Sequence, residues 1–223
     1  MSSLPSKRSE WTIATICFAV LGLLFGLWAY HNLGATEEQK PTLVSATVFD
    51  QPRALNDFKL TDDHKKTFTM AQLKGHWNMV FFGFTHCPDL CPTTLSTLNQ
   101  AYTSLQAQGQ TVMPQVVFIS VDPQRDDPQQ IKEYLSSFNP HFLGATGTEA
   151  QLKQLSQELS VLYAKISQPD NKNYTIDHSG TILLINPQGQ FAGVFTLPHD
   201  AKKIAQDMKT ILASGEVDKA AKS

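Results

Sequence analysis

Three short stretches of the chain are almost continuously apolar and are rich in β-branched and aromatic residues. They are residues 79–84 (MVFFGF), 116–121 (VVFISV) and 182–185 (ILLI). Apolar runs of this length are typical of strands that are buried on both faces of a sheet. The pattern therefore predicts three strands at the centre of a sheet.

Between and after these stretches, apolar residues recur every three or four positions. That spacing places them on one face of a helix, and Pro128 and Gly109 mark a helix start and a helix end. The pattern predicts four helices whose apolar faces pack in the core and do not bind a cofactor. The apolar positions are Leu95, Leu98, Tyr102 and Leu105; Ile131, Leu135 and Phe138; Leu152, Leu155 and Leu159; and Ile204, Met208, Ile211 and Leu212.

The order of the predicted elements indicates an α/β fold. Strands and helices alternate up to residues 181–196 (TILLINPQGQFAGVFT), a stretch that predicts two strands joined by a turn at residues 186–189. A last helix follows. This order resembles the thioredoxin fold, in which paired cysteines follow the first core strand. In that fold the loop before the hairpin, here residues 177–180, faces the cysteines.

The longest apolar stretch lies near the N-terminus. Residues 11–36 contain no Asp, Glu, Lys or Arg, and residues 12–30 (TIATICFAVLGLLFGLWAY) approach the roughly 20 apolar residues that span a bilayer. Aromatic residues stand near both ends of the stretch, and such rings prefer the headgroup region. The pattern predicts a transmembrane helix that anchors the protein over residues 11–33.

Charges on either side of this stretch predict its orientation. Lys7 and Arg8 precede it while Glu37 and Glu38 follow it, and basic residues favour the cytoplasmic side. Residues 1–10 would then be the cytoplasmic tail of a single-pass protein in a bacterial inner membrane, with the C-terminal domain in the periplasm. A cleaved signal peptide is the alternative, but the stretch is longer than the roughly 7 to 15 apolar residues of such a signal.

The rest of the chain divides into a linker, a folded domain and a tail. Residues 34–53 are polar, contain two prolines and show no strong period, which predicts a linker. The core patterns fall within residues 54–213, and the polar residues 214–223 are expected to fray. At 223 residues, 41% apolar and 17% charged, the chain is long enough to bury one globular core besides these segments.

Charge and cysteine content argue against two classes of protein. The formal net charge of -2, the pI near 6.4 and the lack of any run of Lys or Arg give no reason to expect a nucleic-acid partner. Three cysteines are too few for a disulfide-stapled scaffold. The sequence also lacks the repeated C-x2-C pairs of structural zinc sites.

Two of the cysteines lie together at the end of the first core strand. In FFGFTHCPDLCP, residues 81–92, Cys87 and Cys91 are four positions apart and each precedes a proline. Pro92 suits the first position of a helix, so the helix is expected to begin there. Unpaired N–H groups and the positive end of the helix dipole would then stabilise thiolates in this turn. The pair is predicted to act as nucleophiles or as metal ligands.

Soft thiolates select copper(I), zinc or an iron–sulfur cluster, and an imidazole as a third ligand would suit a copper site with few ligands. His178 is the candidate because a thioredoxin-like fold would place its loop opposite the cysteines, and the polar residues 168–174 would give it room to move. On position alone, a histidine satisfied within its own loop is an equally good interpretation. His86 adjoins Cys87, but the neighbour of a ligand usually points elsewhere. The other histidines that follow the apolar N-terminal stretch are expected to be solvated surface residues: His64, His76, His141 and His199.

Three motifs together resemble the Sco/SenC family of membrane-anchored copper chaperones for cytochrome c oxidase. They are FFGFTHCPDLCPTTL, SVDPQRDDP at residues 120–128, and Asp177-His178-Ser179 before an apolar strand; the resemblance spans residues 55–212. It implies a thioredoxin-like copper-binding domain with Cys87, Cys91 and His178 as ligands. It also implies delivery of copper to the binuclear copper site of oxidase subunit II, and it leaves open whether the ion is copper(I) or copper(II). That subunit or another copper chaperone would be the partner.

Such a site would transfer copper by ligand exchange. Two thiolates and an imidazole hold copper(I) with few contacts, which leaves room for a partner's sulfur ligands to enter. Outside the cytoplasm the two cysteines can also close a disulfide. Because oxidation removes the thiolate ligands, copper loading should depend on the redox state of the pair.

Two enzymatic functions are alternatives, and whether the protein is an enzyme is left open. A thiol-disulfide oxidoreductase would use Cys87 and Cys91 as a redox pair that keeps the subunit II cysteines reduced. Against it stand the extra residue between the cysteines, compared with a C-x-x-C pair, and the lack of any proline in residues 177–185, where thioredoxins carry the cis-proline that aligns a substrate. A thiol peroxidase is disfavoured because Thr85 stands two positions before Cys87, whereas the threonine of the peroxidase motif stands three positions before its cysteine.

Residues 120–128 (SVDPQRDDP) contain three aspartates. These aspartates would either cap the helix that begins near Pro128 or contact a partner protein. Capping is the preferred interpretation.

Overall fold

The computed structural model describes residues 7–33, 42–167 and 174–220, and the chain divides into two compact units at Lys40 and Pro41. The first unit contains helix α1 (Lys7–Leu33), so a helix over the predicted apolar stretch is confirmed. The side chains of residues 16–28 are exposed. Across the described residues, no helix has both the length and the apolar character needed to cross a membrane. The predicted transmembrane anchor is therefore not supported.

Strands and helices alternate through the middle of the second unit, as the hydrophobic pattern predicts. The three predicted core strands correspond to the fourth, fifth and ninth strands, and the four predicted helices correspond to the third to sixth helices. The elements are β1 (Ala46–Ala54), β2 (Lys59–Asp62), β3 (Thr67–Thr69), α2 (Met70–Leu73), β4 (Asn78–Gly83), α3 (Leu90–Ala107), β5 (Gln115–Ser120), α4 (Pro128–Ser136), β6 (Leu143–Thr146), α5 (Glu149–Glu158), β7 (Tyr163–Ser167), β8 (Tyr174–His178), β9 (Ile182–Ile185), β10 (Gln190–Phe195) and α6 (Ala201–Ala220).

Eight strands of the described chain form one sheet in the order β1-β10-β9-β4-β5-β6-β2-β3. The neighbours β4, β5 and β6 run parallel, and the other neighbouring pairs are antiparallel. β4 and β9 are buried at every position, as their continuous apolar sequences predict. The α/β prediction is confirmed, and the loops that follow the parallel strands β4 and β5 emerge at the same edge of the sheet.

The strand β1 lies within the segment predicted to be a linker. Ala46 pairs with Phe195 of the antiparallel neighbour β10. Because β1 is an edge strand, most of its positions are exposed and its sequence lacks a continuous apolar run. The linker prediction is therefore wrong for residues 46–53, and residues 34–41 lie outside the described residues.

A buried carboxylate of α6 fixes the residues that lead into β1. The Asp207 side chain accepts hydrogen bonds from the backbone N–H groups of Val44, Ser45 and Ala46 at 2.8, 2.7 and 2.7 Å. The Ser45 hydroxyl donates to the same carboxylate at 2.9 Å. Asp207 itself is almost fully buried. The folded domain therefore begins before β1, about ten residues earlier than the sequence predicted.

The last helix continues beyond the apolar stripe that predicts it. α6 runs to Ala220, so the tail predicted to fray from residue 214 is helical up to that point, and residues 221–223 lie outside the described residues. The segment after Leu212 contains no proline and several good helix formers. It can therefore extend the helix.

β7 and β8 form a separate antiparallel pair in which Tyr163 lies opposite His178. The sequence predicted a loop over residues 168–174, but Tyr174 is the first residue of β8, and residues 168–173 lie outside the described residues. Each strand has five residues of mixed polarity, so neither has the continuous apolar run that predicted the core strands. His178 is consequently the last residue of a strand and does not lie in a loop.

Candidate metal centre

The two cysteines lie in and after the connection between β4 and α3. β4 ends at Gly83, and α3 begins at Leu90, not at Pro92 as predicted. Pro92 occupies the third helical position, where its missing N–H would have no intrahelical partner, so the helix can begin before it. Cys91 therefore lies in the first turn of α3, and its backbone N–H donates to the Cys87 Sγ at 3.3 Å.

His178 completes a cluster with the two sulfurs. Its Nε2 atom lies 3.3 Å from the Cys91 Sγ and 4.0 Å from the Cys87 Sγ. The three potential ligand atoms lie within 4.8 Å of one another, and over the described part of the chain no other group of His, Cys, Asp and Glu side chains is arranged to hold a metal ion. The fold thus brings together the three residues that the sequence singled out.

The histidine ring is held in one orientation. Its Nδ1 atom lies 3.2 Å from the Ser179 carbonyl oxygen. Because a carbonyl only accepts hydrogen bonds, we assign the proton to Nδ1, which leaves the Nε2 lone pair facing the sulfurs. The Phe81 and Phe84 rings contact the imidazole edge to face, with centroids 5.8 and 6.0 Å away. An imidazole fixed in this way, with its Nε2 atom toward the sulfurs, is suited to bind a metal ion.

The two thiols differ in acidity. The hydrogen bond from the Cys91 thiol lowers the pKa of Cys87 to about 4, with a smaller contribution from the Cys91 backbone N–H, although partial burial opposes the shift. The pKa of Cys91 is raised because its thiol donates to Cys87 and is buried. Cys87 is therefore a thiolate at neutral pH, whereas Cys91 keeps its proton until a metal ion displaces it.

The donor set fits a soft metal ion. Bonds of about 2.3 Å to thiolate and 2.0 Å to imidazole place donors that share an ion roughly 3.5 to 4 Å apart. The Nε2–Sγ distances of 3.3 and 4.0 Å agree with that spacing to within a few tenths of an ångström. Thiolates favour copper(I) or zinc over hard cations such as magnesium. All three cysteines lie in the described residues and none forms a disulfide, so both sulfurs of the cluster are available.

The histidine next to the first cysteine points to a different partner. His86 Nδ1 lies 3.5 Å from Asp126 Oδ1 and 3.0 Å from the Thr85 hydroxyl. This orientation agrees with the expectation that the neighbour of a ligand is not itself a ligand. His64 and His141 are exposed, as their polar surroundings predict.

His76 and His199 are partly buried, although the sequence predicted solvated side chains. The Nε2 atom of His199 lies 2.6 Å from the Gly180 carbonyl oxygen, and burial lowers the pKa of this histidine. His199 therefore supports the turn that follows His178. No local sequence pattern indicates such a contact, because the two segments meet only in the folded chain.

The aspartates of residues 120–128 have more than one role. Asp127 is the N-cap of α4, where it accepts a backbone N–H of the first turn at 2.9 Å, which confirms the capping prediction for this residue. Asp126 is almost fully buried and accepts hydrogen bonds from the Thr85 N–H and hydroxyl at 2.8 and 2.6 Å. Because Thr85 stands two residues before Cys87, Asp126 holds the start of the cysteine loop, a role that the sequence did not reveal.

The chain matches a known protein family along most of its folded part. A protein-family model described as SCO1/SenC matches residues 47–213. An SCO2-like protein of Rickettsia felis is 36% identical over 193 residues, which cover 85% of this chain and 93% of the relative. The match therefore includes nearly the whole length of that relative.

Solved structures share the same fold. A crystal structure of Arabidopsis thaliana ScoI with copper bound superposes with a TM-score of 0.67 at 34% identity, covering 71% of this chain and 98% of the other. A structure of Bradyrhizobium japonicum ScoI with copper bound gives a TM-score of 0.63 at 36% identity, covering 70% and 98%. The architecture is thus the thioredoxin-like Sco fold that the motifs implied. The chain belongs to the SCO1/SenC family.

Proposed function

We propose that this protein is a copper chaperone that binds copper through Cys87, Cys91 and His178 and delivers it to cytochrome c oxidase. The observation that carries the proposal is the cluster of two sulfurs and one imidazole nitrogen within 4.8 Å. The same fold occurs in two ScoI proteins whose structures contain copper. In this function copper is cargo, so the site has to release the ion as well as bind it.

The protonation states of the two cysteine thiols make copper binding depend on pH. Cys87 is already a thiolate at neutral pH because its pKa is lowered to about 4. The pKa of Cys91 is raised, so a proton leaves this thiol when copper binds. Since copper competes with that proton, copper affinity should rise with pH across the neutral range.

The proposed recipient is the binuclear copper site of oxidase subunit II, reached directly or through another copper chaperone. Membership of the SCO1/SenC family supports this assignment. The thiolates favour copper(I) as the delivered ion, and copper(II) is proposed as a second loading state. Transfer of radioactive or isotopically labelled copper to a purified subunit II fragment, with a subunit lacking its copper-site cysteines as the control, would test the recipient.

The proposed location is the periplasm of a bacterium, beside the inner membrane. This part of the proposal rests on the uncharged stretch and its flanking charges. Protease added to spheroplasts tests it directly. Digestion of the domain would support a periplasmic location, and protection in intact spheroplasts but not in lysed ones would contradict it.

Copper retention tests the proposed ligands. Reduced full-length protein, loaded with copper(I) without oxygen and then desalted, should keep roughly one copper per chain. His178→Ala should weaken copper(I) affinity at least about tenfold, measured by competition with a chromophoric copper(I) chelator. Removing a residue that only hydrogen-bonds to a metal ligand lowers metal affinity about 10- to 100-fold, and removing the ligand itself should lower it at least as much. His76→Ala is the control, since this partly buried histidine bonds to the Gln72 carbonyl. Equal affinities of wild type and His178→Ala would remove His178 from the site.

Thiol-disulfide reduction is the second candidate function, favoured by the lowered pKa of Cys87. The Cys87 thiolate would attack a partner's disulfide and form a mixed disulfide, releasing one partner thiolate. Cys91 would then lose its proton and attack Cys87, closing the Cys87–Cys91 disulfide and releasing the second partner thiolate. Catalytic reduction of a peptide disulfide that is unchanged in His178→Ala would favour this function, whereas copper retention that requires His178 would favour the chaperone.

A further inference from the structure

His178 belongs to a two-stranded sheet, β7 and β8, that is not hydrogen-bonded to the large sheet within the residues that the structure describes. In the described residues β8 pairs with β7 alone, apart from the large sheet, and an isolated two-stranded pair is marginally stable in water. The two sulfurs, in contrast, lie on a loop and helix that follow a central strand. The distance from His178 to the sulfurs must therefore be fixed by contacts outside the strand pair.

A group of such contacts lies at the opposite end of β8. The Arg125 guanidinium lies over the Tyr174 ring, 3.7 Å from Cζ to the centroid, and its Nη1 donates to the Tyr174 carbonyl at 3.1 Å. The Tyr174 hydroxyl donates to Asp122 Oδ1 at 2.7 Å, and Arg125 Nε donates to Asp122 Oδ2 at 2.5 Å. These three side chains form a closed ring of contacts, which we call the Asp122–Arg125–Tyr174 latch.

The latch is built on the turn that also holds the cysteine loop. The Asp122 carbonyl accepts the N–H groups of Arg125 and Asp126 at 3.1 and 2.9 Å, and the Asp122 side chain is almost fully buried. Asp126, in the same turn, accepts the N–H and the hydroxyl of Thr85. One hydrogen-bonded turn therefore contacts both the start of the cysteine loop and the first residue of β8.

Two routes connect the latch to the histidine. Tyr174 and His178 are four residues apart in one strand, so their side chains lie on the same face about 13 Å apart along the chain. Ile176, between them on that face, is 6% exposed and ties the strand to the core. Arg125 also lies 5.7 Å from the centroid of the Phe84 ring, which packs edge to face against His178.

We propose that the Asp122–Arg125–Tyr174 latch is a positioning device that fixes β8 so that His178 Nε2 stays within bonding distance of an ion held by the two sulfurs. The proposal rests on the proposed function, copper binding at that cluster. The three latch residues do not touch the metal position and act through the histidine.

Arg125→Lys tests the latch in the full-length protein. Lysine keeps the positive charge but loses the planar contact with the ring and the paired hydrogen bonds from Nε and Nη1. We expect copper(I) affinity, measured by chelator competition, to fall about tenfold, as for other residues that orient a metal ligand. Arg53→Lys is the matched control: Arg53 lies over the Phe191 ring at 5.6 Å and donates to the Glu158 carbonyl, and the same change there should leave the affinity unaltered.

A double-mutant cycle distinguishes positioning of His178 from general destabilisation. If the latch acts through the histidine, Arg125→Lys should reduce copper affinity in the wild-type background and have almost no further effect in a His178→Ala background. A loss of the same size in both backgrounds would overturn the proposal. Should Arg125→Lys fail to fold, Tyr174→Phe removes only the bond to Asp122 and should give a smaller loss of the same sign, about threefold.

Hydrogen exchange in the reduced, metal-free protein provides a test that needs no copper. The amides of β8 should exchange faster in Arg125→Lys than in wild type, while those of the central strands β4 and β5 should be unchanged. Unchanged exchange in β8 would overturn the latch even if copper affinity fell. If wild type itself bound no copper, the proposed function would fail, and the exchange of β8 would still decide whether the latch holds the strand.

Discussion

At the scale of single residues, the two cysteines differ because they occupy different positions around one helix start. Cys87 precedes α3, is partly exposed and accepts the Cys91 N–H, which favours its thiolate. Cys91 is fully buried behind β4. A Cβ atom on Gly83 would lie 2.7 Å from the Cys91 Sγ, so the strand approaches this sulfur closely only because residue 83 has no side chain.

The lowered pKa of Cys87 predicts an unusual pH dependence of alkylation. In a Cys17→Ser background, Cys87 should react with iodoacetamide at nearly the same rate at pH 6 and pH 8, because both values lie above its pKa of about 4. An ordinary thiol would react roughly 50 to 100 times faster at pH 8. Mass spectrometry of the peptide that contains Cys87 measures the rate separately from that of the buried Cys91.

Variants of Cys91 test the cause of that acidity. The Cys91 thiol is the main hydrogen-bond donor that lowers the pKa of Cys87. Cys91→Ala removes this donor and should move the alkylation profile of Cys87 to higher pH, whereas Cys91→Ser keeps a donor and should move it less. A rate for Cys87 that rises steeply between pH 6 and pH 8 in the parent would contradict the assignment.

At the scale of elements, the helices and strands that could be predicted from the sequence are those with a buried face or two buried faces. β4 and β9 are covered on both faces and are apolar throughout, and α3 to α6 each show an apolar stripe, so all were predictable. β1 is exposed along a sheet edge, and β7 and β8 are short and mixed in polarity, so none of the three has the continuous apolar run of the core strands. Contacts across the sheet edge, not local pattern, place these strands.

The same division holds within the candidate site. The sulfur pair was predictable because a strand, a turn and a helix start are local features of the sequence. His178 could be chosen only with the fold or the family motifs in view, since it lies 91 residues from Cys87. The latch was not predictable, because Arg125 and Tyr174 are 49 residues apart and neither belongs to a repeating pattern.

Truncation tests whether β1 belongs to the domain. A fragment of residues 55–223 loses the pairing of β1 with β10 and the three N–H donors of the buried Asp207 carboxylate. Relative to residues 41–223, we expect its free energy of unfolding to fall by about 2 to 4 kcal/mol or more. Urea unfolding followed by circular dichroism measures the difference.

Asp207→Asn in the longer fragment separates the contribution of the carboxylate from that of the strand. Asparagine keeps one acceptor oxygen but replaces the other by a donor that faces backbone N–H groups. It should therefore lower the unfolding midpoint, though less than the truncation does. Identical midpoints for residues 41–223 and 55–223 would show that β1 adds no stability.

At the scale of the whole domain, the site lies where several segments meet at one edge of the sheet. The cysteine loop follows β4, the turn that carries Asp122 and Asp126 follows β5, and β8 leads into β9. Because β4, β5 and β9 are neighbours in the sheet, the three segments are held by the most buried part of the fold. The cluster of Cys87, Cys91 and His178 therefore exists only in the folded chain.

Copper binding should for this reason stabilise the domain. An ion that binds the folded chain and not the unfolded one adds about 2.7 kcal/mol at a free concentration 100 times its dissociation constant, which should raise Tm by about 5 to 10 °C for a domain of this size. Differential scanning calorimetry of reduced protein, with and without copper(I) and without oxygen, measures the shift. A Cys87→Ser, Cys91→Ser variant should show none, and an equal shift in that variant would place the copper elsewhere.

In the proposed function, the unequal exposure of the three side chains would give copper release a direction. Cys87 is partly exposed, whereas Cys91 is 0% and His178 8% exposed. Of the three proposed ligands, Cys87 is therefore the most accessible to a thiolate of an approaching protein, and it would be the first to be exchanged. The buried sulfur and the imidazole would hold the ion meanwhile, so that it would pass between the two proteins without becoming free in water.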